Sequence, residues 1–68
     1  MGNLSKNIAA LRMQRNLSQE ELAKRVGVSQ PSIAQFEAGT KVPRLYVTIA
    51  IANALNVKID ELVNGKEE

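Results

Sequence analysis

The segment LSQEELAKRVGVSQPSIAQFEAG, Leu17 to Gly39, restricts this chain more than any other part of it. It carries two helix-start signals on either side of one glycine. Ser18 is a good N-cap, because its hydroxyl can accept an otherwise unpaired N–H of the first turn. Glu21, three residues later, completes a capping box. Leu17 before the cap and Leu22 after it form a hydrophobic staple, and the helix is expected over Gln19–Val26. Gly27 then supplies the positive φ that an abrupt turn requires. Ser29 caps the next helix, with Val28 and Ile33 as its staple pair. Pro31 falls in the first turn, where a missing N–H costs little. Gly39 is the expected C′ residue. Leu22, Val26, Val28, Ile33 and Phe36 give the two helices apolar inner faces, and Ala23 is small enough for a close crossing.

The rest of the chain is also helical in period, and no stretch alternates with period two over a strand length. A first helix is expected over Leu4–Arg15, with Leu4, Ile8 and Leu11 as its stripe and Asn16 as its stop. Thr40, Lys41, Val42 and Pro43 read as a loop. A fourth helix is expected over Arg44–Leu55, ended by Asn56, with a core stripe of Leu45, Ile49, Ala52 and Leu55 and with Ile51 beside it. A short fifth helix follows over Ile59–Val63, and Asn64–Gly65 closes it. Lys58 is a poor N-cap, so fraying is expected there. Lys66–Glu68 are expected to be a disordered tail. The fold class is all-α, and the 68 residues suit one domain, 1–68.

Composition removes several kinds of chemistry. With no cysteine and no histidine, disulfides, thiolate or imidazole metal sites and His-based acid–base catalysis are excluded. There is no phosphate-cradling glycine loop. Asp60 and Glu61 are adjacent and point in different directions on a helix. Ser29, Ser32 and Lys24 offer no nucleophile with an evident base. No catalysis, metal or cofactor is expected. No apolar run approaches the roughly 20 residues of a membrane span, and the N-terminus lacks the apolar stretch of a signal peptide. A soluble cytoplasmic protein is expected. Net charge is +2, but it is unevenly spread. Residues 1–44 hold seven Lys/Arg against three Glu, a net of +4, and residues 45–68 hold two Lys against four acids, a net of −2. This asymmetry suits a first half that faces a polyanion, or it is a chance surface pattern.

Two short helices joined by a tight glycine turn make a helix-turn-helix, here over residues 19–38. From Ile8 to Gly65 the sequence resembles the lambdoid phage repressor and Cro family, the Xre-type helix-turn-helix regulators. The resemblance rests on Leu11–Arg12, the segment Leu17–Gly39, Pro43, "IANALNV" at Ile51–Val57 and "IDELVNG" at Ile59–Gly65. It implies a compact five-helix, lambda-repressor-like DNA-binding domain. It further implies dimeric binding to pseudo-palindromic double-stranded DNA, with repression or autoregulation of transcription.

In the docking mode that the resemblance implies, the third helix enters the major groove with its N-terminal residues at the base edges. Gln30, Ser32 and Gln35 are then placed to read bases, and Pro31 and Ala34 offer apolar contact. Glutamine can pair with adenine through both N6 and N7. Ser32 has a second reading, as part of its own helix cap. Pro31 stands where the family usually has a polar residue, which removes one hydrogen-bonding contact but allows contact with a thymine methyl. Gln19 matches a phosphate-contacting residue at a helix N-terminus. Lys41, Arg44 and, more weakly, Thr40 approach the DNA backbone by the same resemblance. Lys6 and Arg15 read as ordinary solvated charges. Arg12 and Glu37 match family positions that form an ion pair between the first and third helices, with a structural role.

From Leu45 to Val57 there is no charged residue. A helix apolar nearly all round is covered on more than one side. A two-fold dimer contact is therefore expected from Tyr46, Val47, Ala50, Val57, Lys58 and Asp60. The plainer reading is that small alanines sit at the surface. A reading of another class also stands, in which the same fold serves as an antitoxin or regulatory subunit and this helix meets an unknown protein partner.

Overall fold

In a computed structural model, described here for residues 3–65, the chain forms five α-helices. They are α1 (Leu4–Gln14), α2 (Gln19–Val26), α3 (Gln30–Ala38), α4 (Leu45–Ala54) and α5 (Ile59–Asn64). No strand occurs among the described residues, and no helix among them is long and apolar enough to cross a membrane. The expectation for Lys66–Glu68 lies outside the described residues.

The start signals act as their chemistry requires. The Ser18 hydroxyl accepts the Glu21 N–H at 3.0 Å, and the Glu21 carboxylate accepts the Ser18 N–H at 2.7 Å. Leu17 and Leu22 are both buried, as the staple demands. The Ser29 hydroxyl accepts the Ser32 N–H at 3.2 Å. Gly27 has φ +88°, in the left-handed region, and Gly39 has φ +80°. A Cβ at Gly27 would meet nothing within 4 Å, so the turn needs glycine for its backbone angle rather than for space. Asn16 and Asn56 end their helices at φ 58° and 59°. At α5, Lys58 contributes no side-chain cap. The Glu61 carboxylate instead accepts the Lys58 N–H at 2.8 Å.

The core gathers one face of every helix. Ile8 and Leu11 come from α1, Leu22 and Ala23 from α2, Ile33 and Phe36 from α3, and Leu62 from α5. From α4 it takes Val47, Ile51 and Ala52, with Leu55 at the helix end. α2 and α3 pack on each other, α1 crosses α3 and α5, and α4 closes against α2 and α5.

The stripe on α4 is not the one expected. Leu45 is 71% exposed and Ile49 43% exposed, whereas Val47 is only 8% exposed and Thr48 is buried beside it. The inward face is Val47, Thr48, Ile51, Ala52 and Leu55, at spacings of one, three and four residues. An apolar sequence on all sides gives no moment to select a face. Packing of α4 against α2 and α5 selects it instead. Burying Thr48 is inexpensive, because its hydroxyl donates to the Arg44 carbonyl at 3.1 Å.

Candidate nucleic-acid interface

The N-terminal ends of α2 and α3 meet at one polar surface built on a hydrogen-bonded chain. Arg12, on α1, donates from Nε to Glu37 Oε2 at 2.7 Å and from Nη2 to Glu37 Oε1 at 3.2 Å. This is the two-pronged geometry in which Arg–carboxylate pairs are strongest. Arg12 Nη1 also donates to the Leu17 carbonyl at 2.7 Å, which holds the α1–α2 link. The two side chains keep 14% and 8% of their surface, so water screens the pair little. Glu37 Oε1 accepts a further bond from Gln19 Nε2 at 2.9 Å, and Gln19 Oε1 accepts one from Gln30 Nε2 at 2.8 Å. A continuous path therefore joins a nearly buried ion pair to an exposed residue in the first turn of α3.

The other residues expected at bases lie along the same helix. Pro31 is exposed next to Gln30, and Ser32, Ala34 and Gln35 are half-buried. Ser32 serves the cap, with its hydroxyl 2.9 Å from that of Ser29. After α3 the chain folds back. The N–H groups of Thr40 and Lys41 and the Thr40 hydroxyl all point to the Gln35 carbonyl, at 3.1, 3.4 and 3.3 Å. This fixes the loop that presents Lys41 and Arg44, both exposed. Arg44 is the N-cap residue of α4 by backbone position but makes no side-chain cap there.

Residues 8–62 match a family model described as Helix-turn-helix. The chain belongs to the Helix-turn-helix family. Relatives cover most of its length. It is 41% identical over 61 residues to an uncharacterized HTH-type transcriptional regulator of Archaeoglobus fulgidus, covering 90% of this chain and 86% of that one. It is 38% identical over 63 residues to the cryptic phage CTXphi transcriptional repressor RstR of Vibrio cholerae, covering 93% of this chain and 57% of that protein. Several curated relatives are thus about twice as long as the part this chain spans. Among solved structures, the P22 c2 repressor in complex with synthetic operator 9T superposes with a TM-score of 0.87 at 32% identity. That match covers 93% of this chain and 96% of the repressor chain. Membership of the Helix-turn-helix family agrees with the glycine turn at Gly27 and with the packing of α2 on α3.

The surface expected to meet a second copy needs one correction. Val47 faces the core at 8% exposure, because α4 is rotated from its expected phase, and it cannot line a surface. Tyr46 is 72% exposed, Ala50 and Val57 are half-buried, and Lys58 and Asp60 are exposed. Asp60 accepts from Asn64 at 2.6 Å within α5. Leu45 and Ile49, expected in the core stripe of α4, are instead exposed, as are the apolar side chains of Met13, Val42 and Ile59. Ile49, Val57 and Ile59 line one open groove between α4 and α5.

Arg15, expected as an ordinary solvated charge, is instead half-buried and hydrogen-bonded. Its Nε donates to the Leu55 carbonyl at 2.8 Å and so satisfies the C-terminal end of α4 from the end of α1. Asn7 does the same for α5, donating to the Leu62 and Val63 carbonyls at 2.8 and 3.4 Å. No sequence signal marks either contact, because each partner is a backbone atom at least 40 residues away.

Proposed function

We propose that this chain is a sequence-specific double-stranded DNA-binding module that regulates transcription, as a repressor or autoregulator. The carrying observation is the start of α3, where Gln30 and Pro31 are exposed and Gln30 is held from behind by Gln19. A helix with its side chains is about 10–12 Å across, and the major groove is about 12 Å wide. The N-terminal half of α3 then meets base edges through Gln30, Pro31, Ser32, Ala34 and Gln35. Gln19, Thr40, Lys41 and Arg44 contact flanking phosphates. Gln19 has one amide N–H not used within the protein, and a phosphate oxygen accepts it. Arg12 and Glu37 keep α1 and α3 in register behind this surface. The operator-bound state of the P22 c2 repressor and the repressor role of RstR support this reading.

Two copies are proposed to bind together, with their α3 helices about 34 Å apart on a pseudo-palindrome. The contact uses the exposed apolar residues Tyr46, Ile49 and Ile59 and the half-buried Val57, with Ala50, Lys58 and Asp60 at its edge. The same band would serve a protein partner if the chain were an antitoxin or regulatory subunit. Titration of a mixed-sequence duplex at increasing salt separates the two. A DNA-binding module loses affinity linearly in log salt, by about 0.9 in slope per phosphate neutralised. No binding to duplex at low salt would refute the proposal and favour the protein partner.

A further inference from the structure

The bonds behind α3 do more than brace it. A glutamine side chain ends in two groups of nearly the same shape and opposite hydrogen-bonding sense, so its neighbours decide which way it points. Glu37, as a carboxylate paired with Arg12, can only accept. The Gln19 atom that faces it must therefore be the amide nitrogen, 2.9 Å away. Gln19 then turns its carbonyl oxygen toward Gln30, and Gln30 must answer with its own nitrogen, at 2.8 Å. One N–H of Gln30 is used in that bond. What remains free is one N–H and the carbonyl oxygen.

We propose that Glu37, held by Arg12, is a specificity-determining positioning residue. Through Gln19 it fixes the direction of the Gln30 amide, and so the pattern offered to a base. This inference rests on the reading that α3 enters the major groove. A donor beside an acceptor matches adenine, which presents N7 as acceptor and N6 as donor. It does not match guanine, whose N7 and O6 both accept and would need two N–H groups. A phosphate at Gln19 reinforces the same direction, because it too requires the amide nitrogen. Arg12 holds the carboxylate in place with two bonds and is itself tied to the Leu17 carbonyl. The ion pair is thus a structural element whose chemistry reaches the DNA surface two side chains away.

The test compares binding to duplexes that differ only at the half-site base read by Gln30, adenine against guanine, after that site has been found by selection. In Glu37→Gln the amide at 37 can donate as well as accept, and the Gln19 and Gln30 amides are free to reverse. Gln19→Met leaves the Arg12–Glu37 pair intact and simply releases Gln30, so it carries the test should Glu37→Gln be poorly folded. Both variants are expected to lower the adenine-over-guanine preference at that base about tenfold, with preferences elsewhere in the half-site unchanged. A purely structural role would weaken all duplexes equally. An unchanged adenine-to-guanine ratio in the folded variants overturns the inference while leaving the DNA-binding reading intact. A wild-type protein that selects no base at any position overturns both.

Discussion

Replacing Arg12 with methionine should unfold this protein at a much lower temperature. The substitution keeps an apolar stem of similar length and removes three donors. Glu37, at 8% exposure, would be left as a nearly buried carboxylate with Gln19 as its remaining partner, and the Leu17 carbonyl would lose its bond. Breaking a buried pair from one side costs about 3–5 kcal/mol. The residual exposure of Arg12 and the surviving Gln19 bond place this case near the lower end, at about 3 kcal/mol. A domain of this size shifts its Tm by roughly 4–8 °C per kcal/mol, so a fall of roughly 12–24 °C is expected by circular dichroism. The double variant Arg12→Met with Glu37→Met should recover part of the loss, because the stranded charge is gone. A loss below about 1 kcal/mol for Arg12→Met would mark an ordinary surface pair and refute the argument.

Further outcomes follow from the same geometry. Gly27→Ala places a Cβ at φ +88° with no steric neighbour, so only the backbone penalty applies, about 1–2 kcal/mol in thermal unfolding. Gly27→Asn should cost less, since asparagine visits that region more readily; equal losses would contradict this. The Ser18 N–H and hydroxyl hold the Glu21 carboxyl below the ordinary carboxylate range. A depressed folded pKa gives stability that is complete above the unfolded pKa and lost as pH falls through the folded one. Glu21→Gln should therefore flatten the loss of stability on the acid side and leave the alkaline side unchanged. Lys41→Ala should weaken duplex binding for all sequences alike and reduce the salt slope by about one, whereas a sequence-dependent effect would place Lys41 at a base rather than a phosphate.

The parts of the fold that were legible in sequence are those encoded over a few residues. Ser18, Glu21, Gly27, Ser29 and Gly39 each act on a backbone group within three or four positions, so their effect is written locally. The Arg12–Glu37 pair spans 25 residues and came only through family resemblance, not from spacing. The phase of α4 was lost for a specific reason. Leu45, Ile49, Val47 and Ile51 are similarly apolar, and only tertiary packing decides which of them turn inward. Arg15 and Asn7 cap helix ends through carbonyls that any residue would supply, so sequence carries no trace of the partner. For Gln19, the family resemblance implied a phosphate contact. Its place between Glu37 and Gln30 needed three helices to be docked first.

The N-terminal half of α3 is the surface proposed to meet DNA. Amide chemical-shift mapping during titration with a short duplex tests it directly. The largest changes are expected at Gln30 and at residues 32–35, with smaller ones at Gln19 and Lys41; Pro31 has no amide N–H to report. Changes confined to Ile49–Ile59, with α3 undisturbed, would contradict it.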